Sequence, residues 1–257
     1  MSVLLQEHLY CLDWPVDSAT TLRVACVRFQ PAPIDAGSFR SAGIDCPAHI
    51  AAAVPKRQRE FFYGRLCARS AMAPLRADIP QIGTGRMREP LWPPDLIGSI
   101  THAADMAAAV VLPVSMGYHG VGIDIENILG GQGAQEVRAI VANENELRYL
   151  DGFEDALGAN VPLTLVFSAK ESFFKAVHGE VRRYFNFDAI ALERIDLSAR
   201  SMRFRVCEDL TPRLRRGGRC EIQFRILDAE HIATLCLWRR EPEGAWPRRA
   251  GHTVVPD

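Results

Sequence analysis

Residues 121–126 (VGIDIE) alternate strictly in polarity, which is typical of a β-strand with two different faces. The three branched residues share one face, and Gly122, Asp124 and Glu126 share the other. The two carboxylates lie roughly 6.5–7 Å apart along the strand, so a single cation can sit between them. Gly122 leaves room for a ligand beside them. Taken by itself, the pattern also fits an ordinary strand with its polar residues facing solvent.

A second segment, residues 162–178, predicts a helix that carries more charge. It follows a proline, which suits a first helical turn, and its apolar residues recur at helical spacing. Glu171 and Lys175 are four residues apart and share a face. A surface pair of this kind contributes only about 0.3–0.5 kcal/mol. Lysine is rare here, however, since 27 of the 30 basic residues are Arg, and a compact ammonium suits a phosphate or a developing oxyanion.

Composition weakens the case for several classes of function. The net charge of −1 gives no global attraction to nucleic acid or to an anionic membrane. No run approaches the roughly 18 apolar residues of a membrane span, and the N-terminus lacks the basic flank of a signal peptide. The seven cysteines are scattered without a CxxC pair, which favours free thiols in a reducing compartment. We therefore expect a cytoplasmic protein that binds neither nucleic acid nor membrane.

Hydrophobic periodicity predicts an α+β fold. Two similar α/β subdomains, residues 1–118 and 119–240, each offer a long helix followed by strands, and residues 241–257 predict a disordered tail. The predicted helices cover residues 54–76, 143–150 and 162–178. The predicted strands cover residues 22–29, 97–100, 106–112, 121–126, 201–207, 220–227 and 232–238.

Taken together, the motifs resemble a known family. The strand GIDIE, followed about 40 residues later by FSAKESFFK, is similar to the two signature motifs of the 4′-phosphopantetheinyl transferase superfamily. The segments KRQREF with GRLCAR, REPLWP, GSITH and YFNFDA resemble further family motifs, in the family's order. The resemblance covers roughly residues 50 to 240. It is closest to the enterobactin-associated and pseudomonad single-transferase enzymes of the surfactin-synthetase-type branch.

The resemblance implies a fold and an activity. The fold would be two subdomains related by a pseudo-twofold axis, with the active site in the cleft between them. The enzyme would move the phosphopantetheine arm of coenzyme A to a serine hydroxyl of an acyl or peptidyl carrier protein, and adenosine 3′,5′-bisphosphate would leave. One chain would supply the whole cleft, so a monomer is expected. Fatty acid, polyketide, nonribosomal peptide and siderophore carriers all remain open.

The resemblance also implies roles for individual residues. Asp124, Glu126 and Glu171 would hold Mg²⁺. Glu171 would also act as general base, directly or through a metal-bound water, and Lys175 would balance charge on the pyrophosphate and the leaving group. The coenzyme A site would contain Arg57 and Arg65 at the phosphates, Arg88 near the adenine, His102 at the 3′-phosphate, and Thr101, Asp124, Lys170 and Lys175. Thr101 stands where many relatives carry Ser, which keeps the hydroxyl.

Two other classes of function fit the same residues. A magnesium-dependent nuclease or phosphohydrolase would use the three carboxylates, but it predicts a basic face or a phosphate-binding glycine loop. A non-catalytic carrier-binding module would be expected to lose Glu171 or Lys175.

Overall fold

The computed structural model describes residues 9–239. The expected disordered tail, residues 241–257, lies outside the described residues. The strands are β1 (Leu9–Pro15), β2 (Thr21–Arg28), β3 (Gly83–Thr84), β4 (Pro90–Leu91), β5 (Leu96–His102), β6 (Met106–Pro113), β7 (Tyr118–Asn127), β8 (Ile190–Asp196), β9 (Ser201–Val206), β10 (Arg219–Ile226) and β11 (His231–Arg239). The α-helices are α1 (Ala36–Ser41), α2 (Ala48–Ala51), α3 (Pro55–Met72), α4 (Gly131–Val141), α5 (Glu144–Asp151), α6 (Glu154–Leu157) and α7 (Val161–Val181).

The first sheet contains β1, β2, β6 and β5 in that order, with all neighbours antiparallel. Helix α3 covers one face. It begins after Val54 with Pro55 in its first turn, where the missing N–H breaks no hydrogen bond. Cys67, Ala68 and Met72 then pack against the small side chains of β2 and β6, which allow a close approach of helix and sheet.

The second sheet contains β7, β11, β10, β9 and β8 in that order and is also antiparallel. Helix α7 lies against β7 and β11. Its residues Val166, Phe173 and Val177 are fully buried in the core of this half, which confirms the apolar stripe predicted for the helix.

The two sheets meet where the edge strand β5 lies beside the edge strand β7. Side-chain hydroxyls join them. Ser99 Oγ accepts a hydrogen bond from the Ile123 N–H at 3.1 Å, and Thr101 Oγ1 accepts one from the Ile125 N–H at 3.1 Å. We call these four residues the seam. A core cluster with residues from both sheets lies against it, so the two halves pack as one body.

The α+β class is confirmed, and so are the three predicted helices and the seven predicted strands, with shifted ends. The patterns missed four helices and four strands, most of them short: α1, α2, α4, α6, β1, β3, β4 and β8. The two sheets divide between β6 and β7, but a subdomain boundary at residues 118 and 119 stays a prediction. Within residues 9–239, no helix is long and apolar enough to cross a membrane.

Candidate active site

Two glycines set the distance between strand β7 and helix α7. A Cβ atom added at Gly122 would lie 1.7 Å from the Ser172 carbonyl oxygen, and one at Gly120 would lie 1.8 Å from the Ala176 carbonyl oxygen. Only glycine permits such contact between backbones. The prediction that Gly122 leaves room for a ligand is therefore wrong, because the backbone of α7 fills that space.

Asp124 lies at the centre of the acidic strand and is only 3% exposed, so the solvent-facing alternative for this strand is wrong. Its Oδ1 accepts hydrogen bonds from Thr101 Oγ1 at 3.1 Å and from Lys175 Nζ at 2.6 Å. The other oxygen, Oδ2, is buried without a hydrogen-bond partner. Burying a carboxylate oxygen without a hydrogen bond costs free energy, so the unpaired Oδ2 indicates a ligand-binding site.

Glu126 and Glu171 share this environment. Burial raises the pKa of Glu126 to about 8, with the charges of Asp124 and Glu171 adding to the shift and Lys175 opposing it. Burial also raises the pKa of Glu171, with Asp124 adding and Lys175 opposing. Three carboxylates thus face one ammonium, and the cluster lacks positive charge.

The cluster suits a hard divalent cation. Within residues 9–239, no three acidic, His or Cys side chains converge as a formed metal site. The available donors are all oxygens, one of them is an unpartnered buried oxygen, and the negative charge is in excess. Magnesium prefers such oxygen donors and needs few of them from protein. Asp124, Glu126 and Glu171 therefore fit the predicted ion.

A polar cavity of about 360 Å³ lies on the other side of the seam. Its walls bring together four of the residues predicted to bind coenzyme A, which come from α3, the segment before β4, and the end of β5: Arg57, Arg65, Arg88 and His102. Thr101, the neighbour of His102, points away to Asp124.

Glu60 is an unpredicted member of this cavity. Its Oε2 lies 3.2 Å from Arg57 Nη1 and 3.7 Å from His102 Nε2. Burial lowers the pKa of His102; the Glu60 charge opposes this shift, and Lys175 and Arg57 reinforce it. This carboxylate beside Arg57 and His102 gave no signal in the sequence beyond its i,i+3 spacing from Arg57.

Arg65 is held in place by protein contacts. Its Nη2 donates to the Gly83 carbonyl at 3.0 Å and to Thr84 Oγ1 at 3.2 Å, and its guanidinium lies 4.8 Å from the ring centroid of Phe61. Burial, followed by the charge of Arg57, lowers its pKa to about 10. Its Nε is buried without a partner, so the side chain keeps one donor for a ligand.

A second cavity, also of about 360 Å³, adjoins the first and shares Arg88, Pro90 and Ile100 with it. Both halves of the chain line it, with Trp92 from the first and Lys175 from the second. The two cavities thus connect the arginine cluster to the lysine that contacts Asp124. A ligand long enough to occupy both would carry an anionic end and reach the carboxylate cluster.

Comparisons with known proteins agree with this arrangement. Residues 46–112 match the model of the 4′-phosphopantetheinyl transferase N-terminal domain, and residues 120–236 match that of the 4′-phosphopantetheinyl transferase superfamily. The chain is 32% identical over 164 residues to 4′-phosphopantetheinyl transferase Npt of Nocardia iowensis, covering 62% of this chain and 71% of that protein. The chain belongs to the 4′-phosphopantetheinyl transferase superfamily.

Two further relatives lie within the same superfamily. Enterobactin synthase component D of Salmonella austin is 36% identical over 157 residues, covering 60% of this chain and 63% of that protein. 4′-Phosphopantetheinyl transferase Svp of Streptomyces mobaraensis is 36% identical over 149 residues, covering 56% and 58%. The chain thus spans less than two thirds of the length of these two relatives.

Lys170 does not join the site of this superfamily member. Its ammonium donates to the Val141 carbonyl at 2.6 Å and to Glu146 Oε1 at 3.2 Å, and the pair is almost fully buried. Burial lowers the pKa of Lys170, and Glu146 opposes the shift. The structure thus gives Lys170 a partner within the second half of the chain, and we withdraw its assignment as a coenzyme A ligand. The reason is geometric, since positions five apart on a helix point in different directions.

Proposed function

We propose that this chain transfers 4′-phosphopantetheine from coenzyme A to a serine hydroxyl of a carrier protein, with Mg²⁺, and releases adenosine 3′,5′-bisphosphate. The observation that carries the proposal is the adjacency of an arginine-lined cavity and a carboxylate cluster with an unpartnered oxygen. Membership of the transferase superfamily supports it. A phosphate-rich substrate and a divalent cation are what these two halves of the site are suited to bind.

The first cavity would take the nucleotide end of coenzyme A. Arg57 and His102 line it and would contact phosphate, His102 at the 3′-phosphate. Arg65 Nε, which has no partner within the protein, would donate a hydrogen bond to phosphate as well. Arg88 lies where the cavities adjoin, so it would be near the adenine nucleotide as the ligand turns toward Lys175. The second cavity would then hold the pantetheine arm.

The carboxylate cluster would carry the chemistry. Asp124, Glu126 and Glu171 would hold Mg²⁺, which neutralises charge on the pyrophosphate when bound. The serine oxygen attacks the phosphorus that bears pantetheine, the bond to adenosine bisphosphate breaks, and the serine proton passes to Glu171. Burial raises the pKa of Glu171, which makes its carboxylate a stronger base for this proton transfer. Lys175 lies next to the cluster and would stabilise the charge of the leaving group.

Three finer proposals concern the setting. The chain would act as a monomer, because both cavities and the carboxylate cluster belong to one chain. It would work in the cytoplasm, where its seven free cysteines stay reduced. Its carriers would include peptidyl carriers of siderophore assembly, since one relative is a component of enterobactin synthase.

The direct test is incubation of the purified chain with coenzyme A, Mg²⁺ and a panel of apo carrier proteins of acyl and peptidyl type. We expect the mass of at least one carrier to rise by one phosphopantetheine group, and the rise to vanish with EDTA. A carrier whose acceptor serine is replaced by alanine is the control. If no carrier gains mass while DNA or a simple phosphoester is hydrolysed, the nuclease or phosphohydrolase alternative replaces this proposal.

A further inference from the structure

A fully buried histidine joins three segments outside the site described above. His231 is the first residue of β11, and its side chain is 0% exposed. Three segments surround it: the turn of residues 103–105 between β5 and β6, the end of β7 at Asn127, and the turn of residues 227–230 between β10 and β11. The first belongs to the first sheet and the other two to the second.

Each ring nitrogen faces a carboxylate. Nδ1 lies 3.0 Å from Asp228 Oδ1, and Nε2 lies 2.8 Å from Asp105 Oδ1. Asp228 also accepts the His231 backbone N–H at 3.0 Å and pairs with Arg28. Burial raises the pKa of Asp228, but hydrogen bonds from the Glu230 N–H and from His231 outweigh burial and lower this pKa to about 2. Asp228 therefore anchors one side of the ring as a permanent anion.

The other side of the ring has two partners with opposite requirements. Asp105 can only accept a hydrogen bond when ionised, whereas Asn127 Nδ2, 3.1 Å from the same Nε2, can only donate one. The orientation of the Asn127 amide follows from its Oδ1, which accepts the Ala104 N–H at 3.2 Å. A protonated Nε2 engages Asp105, and an unprotonated Nε2 engages Asn127. Either way the ring bonds to a group that contacts turn 103–105 or belongs to it.

These contacts connect the two halves of the substrate site through the backbone. Turn 103–105 directly follows His102, which lines the anion cavity. Asn127 directly follows Glu126, a member of the carboxylate cluster. A ligand that bridges the cavity and the cluster binds well only if the distance between them is fixed in advance. His231 lies where both segments end and lines neither cavity.

We propose that His231 is a positioning residue that ties turn 103–105 to the end of β7, and so holds the nucleotide pocket and the carboxylate cluster at the separation that coenzyme A requires. This inference rests on the proposed function. It predicts that loss of the tie weakens ligands that span both halves of the site. Ligands confined to the first half keep their affinity, because every residue that lines the first cavity lies between His49 and His102, in the first half of the chain.

The test compares two ligands by calorimetry. Adenosine 3′,5′-bisphosphate occupies the nucleotide pocket alone, whereas coenzyme A with Mg²⁺ spans both halves. For His231→Asn we expect the affinity for coenzyme A with Mg²⁺ to fall about 10-fold, the scale for residues that position a ligand-binding group. The affinity for adenosine 3′,5′-bisphosphate is expected to change by less than about 2-fold. Asp105→Ala serves as a second variant: Asp105 is partly exposed, and its loss removes only the direct bond between the ring and turn 103–105, so a smaller change of the same ratio is expected.

The matched control is Tyr149→Phe, which removes another side-chain partner of a backbone group, the acceptor of the Ile195 N–H at 3.1 Å, away from the junction. It is expected to lower stability and to leave the ratio of the two affinities unchanged. If both His231→Asn and Asp105→Ala leave that ratio as in the wild type, or weaken both ligands equally, the inference is overturned while the proposed function stands. If the wild type binds neither ligand, both fail.

Discussion

Helix α7 carries one buried lysine, Lys170, and one partly exposed lysine, Lys175, and their carboxylate partners differ in how completely they are hydrogen-bonded. Lys170 pairs with Glu146, whose Oε1 also accepts the Leu192 N–H at 2.7 Å and whose Oε2 accepts the Asn143 N–H at 2.9 Å. Lys175 pairs with Asp124, whose Oδ2 has no partner. Glu126 and Glu171 add unbalanced charge around the second pair only.

The difference separates a structural pair from a functional one. A buried polar network in which every oxygen is used rigidifies the core and needs nothing from outside. A network with an unused oxygen and an excess of like charge is tolerated where a ligand completes it. From sequence the two lysines look equivalent, since both belong to one motif. Their surroundings in the fold decide which of them belongs to the active site.

The largest expected effect is on catalysis. Asp124→Ala or Glu171→Ala is expected to lower the transfer rate by about 10²–10⁴-fold, because each removes a metal-binding carboxylate and Glu171 is also the proposed base. The measurement is the initial rate of carrier modification at saturating coenzyme A and Mg²⁺. Circular dichroism is expected to match the wild type. A variant that keeps a near-wild-type rate would remove that residue from the site.

The next effect concerns stability at the structural pair. Lys170→Met leaves the Glu146 charge buried without its partner and is expected to reduce the free energy of unfolding by about 3–5 kcal/mol. The transfer rate per folded molecule is expected to stay near that of the wild type. Urea denaturation measures the first quantity and active-site-normalised kinetics the second.

A double variant checks the reason for that loss. Glu146→Gln added to Lys170→Met removes the unpaired charge and is expected to restore more than half of the lost stability. No restoration would mean that packing of the lysine stem, and not the charge, is what Lys170 contributes.

A smaller effect of opposite sign is expected at Glu126. Its pKa in the folded chain is about 8 against an ordinary 4.5, so its ionisation destabilises the fold progressively between these values. In EDTA at pH 8 or above, Glu126→Gln is expected to raise the free energy of unfolding by about 1–3 kcal/mol. Near pH 4.5 the gain is expected to disappear. The same variant is expected to lose transfer activity, and a stability loss at pH 8 would contradict the charge argument.

The last expected effect, of similar size, is at the seam. Thr101→Val removes the hydroxyl that accepts the Ile125 N–H and is expected to cost about 1–3 kcal/mol. Thr101→Ser keeps the hydroxyl, so its cost is expected to stay below about 1 kcal/mol. Equal thermal denaturation curves for the two variants would show that the hydroxyl does not join the sheets.

Much of the fold could be predicted because its periodic segments are long. The 21-residue helix α7 and the alternating strand β7 each carry an unambiguous pattern. Strand β1 and helix α4 were missed because the first alternates weakly and the second begins with glycines. The separation of the charged residues into one cavity and one cluster depends on which strands meet at the seam, and local patterns do not encode that.

The candidate site was predictable in residue type and less so in role. The spacing of Asp124 and Glu126 indicated two carboxylates on one face, and the structure adds that both are largely withdrawn from solvent. Glu60 and Lys170 show the limit. Glu60 lines the anion cavity although no pattern predicted it, and Lys170 lies outside the site although its motif predicted it there. The sequence could not show this, because their side-chain partners come from elements distant in sequence.

The glycines of β7 make the site dependent on two missing methyl groups. A single nucleotide change that converts Gly122 to alanine or serine would push the helix that bears Glu171 and Lys175 off the strand that bears Asp124, since the added atom would overlap the Ser172 carbonyl. Such a gene would still encode every side chain that we propose for catalysis. Relatives identified by their acidic motif alone can therefore encode inactive proteins, and the residue before the first isoleucine of that motif distinguishes them.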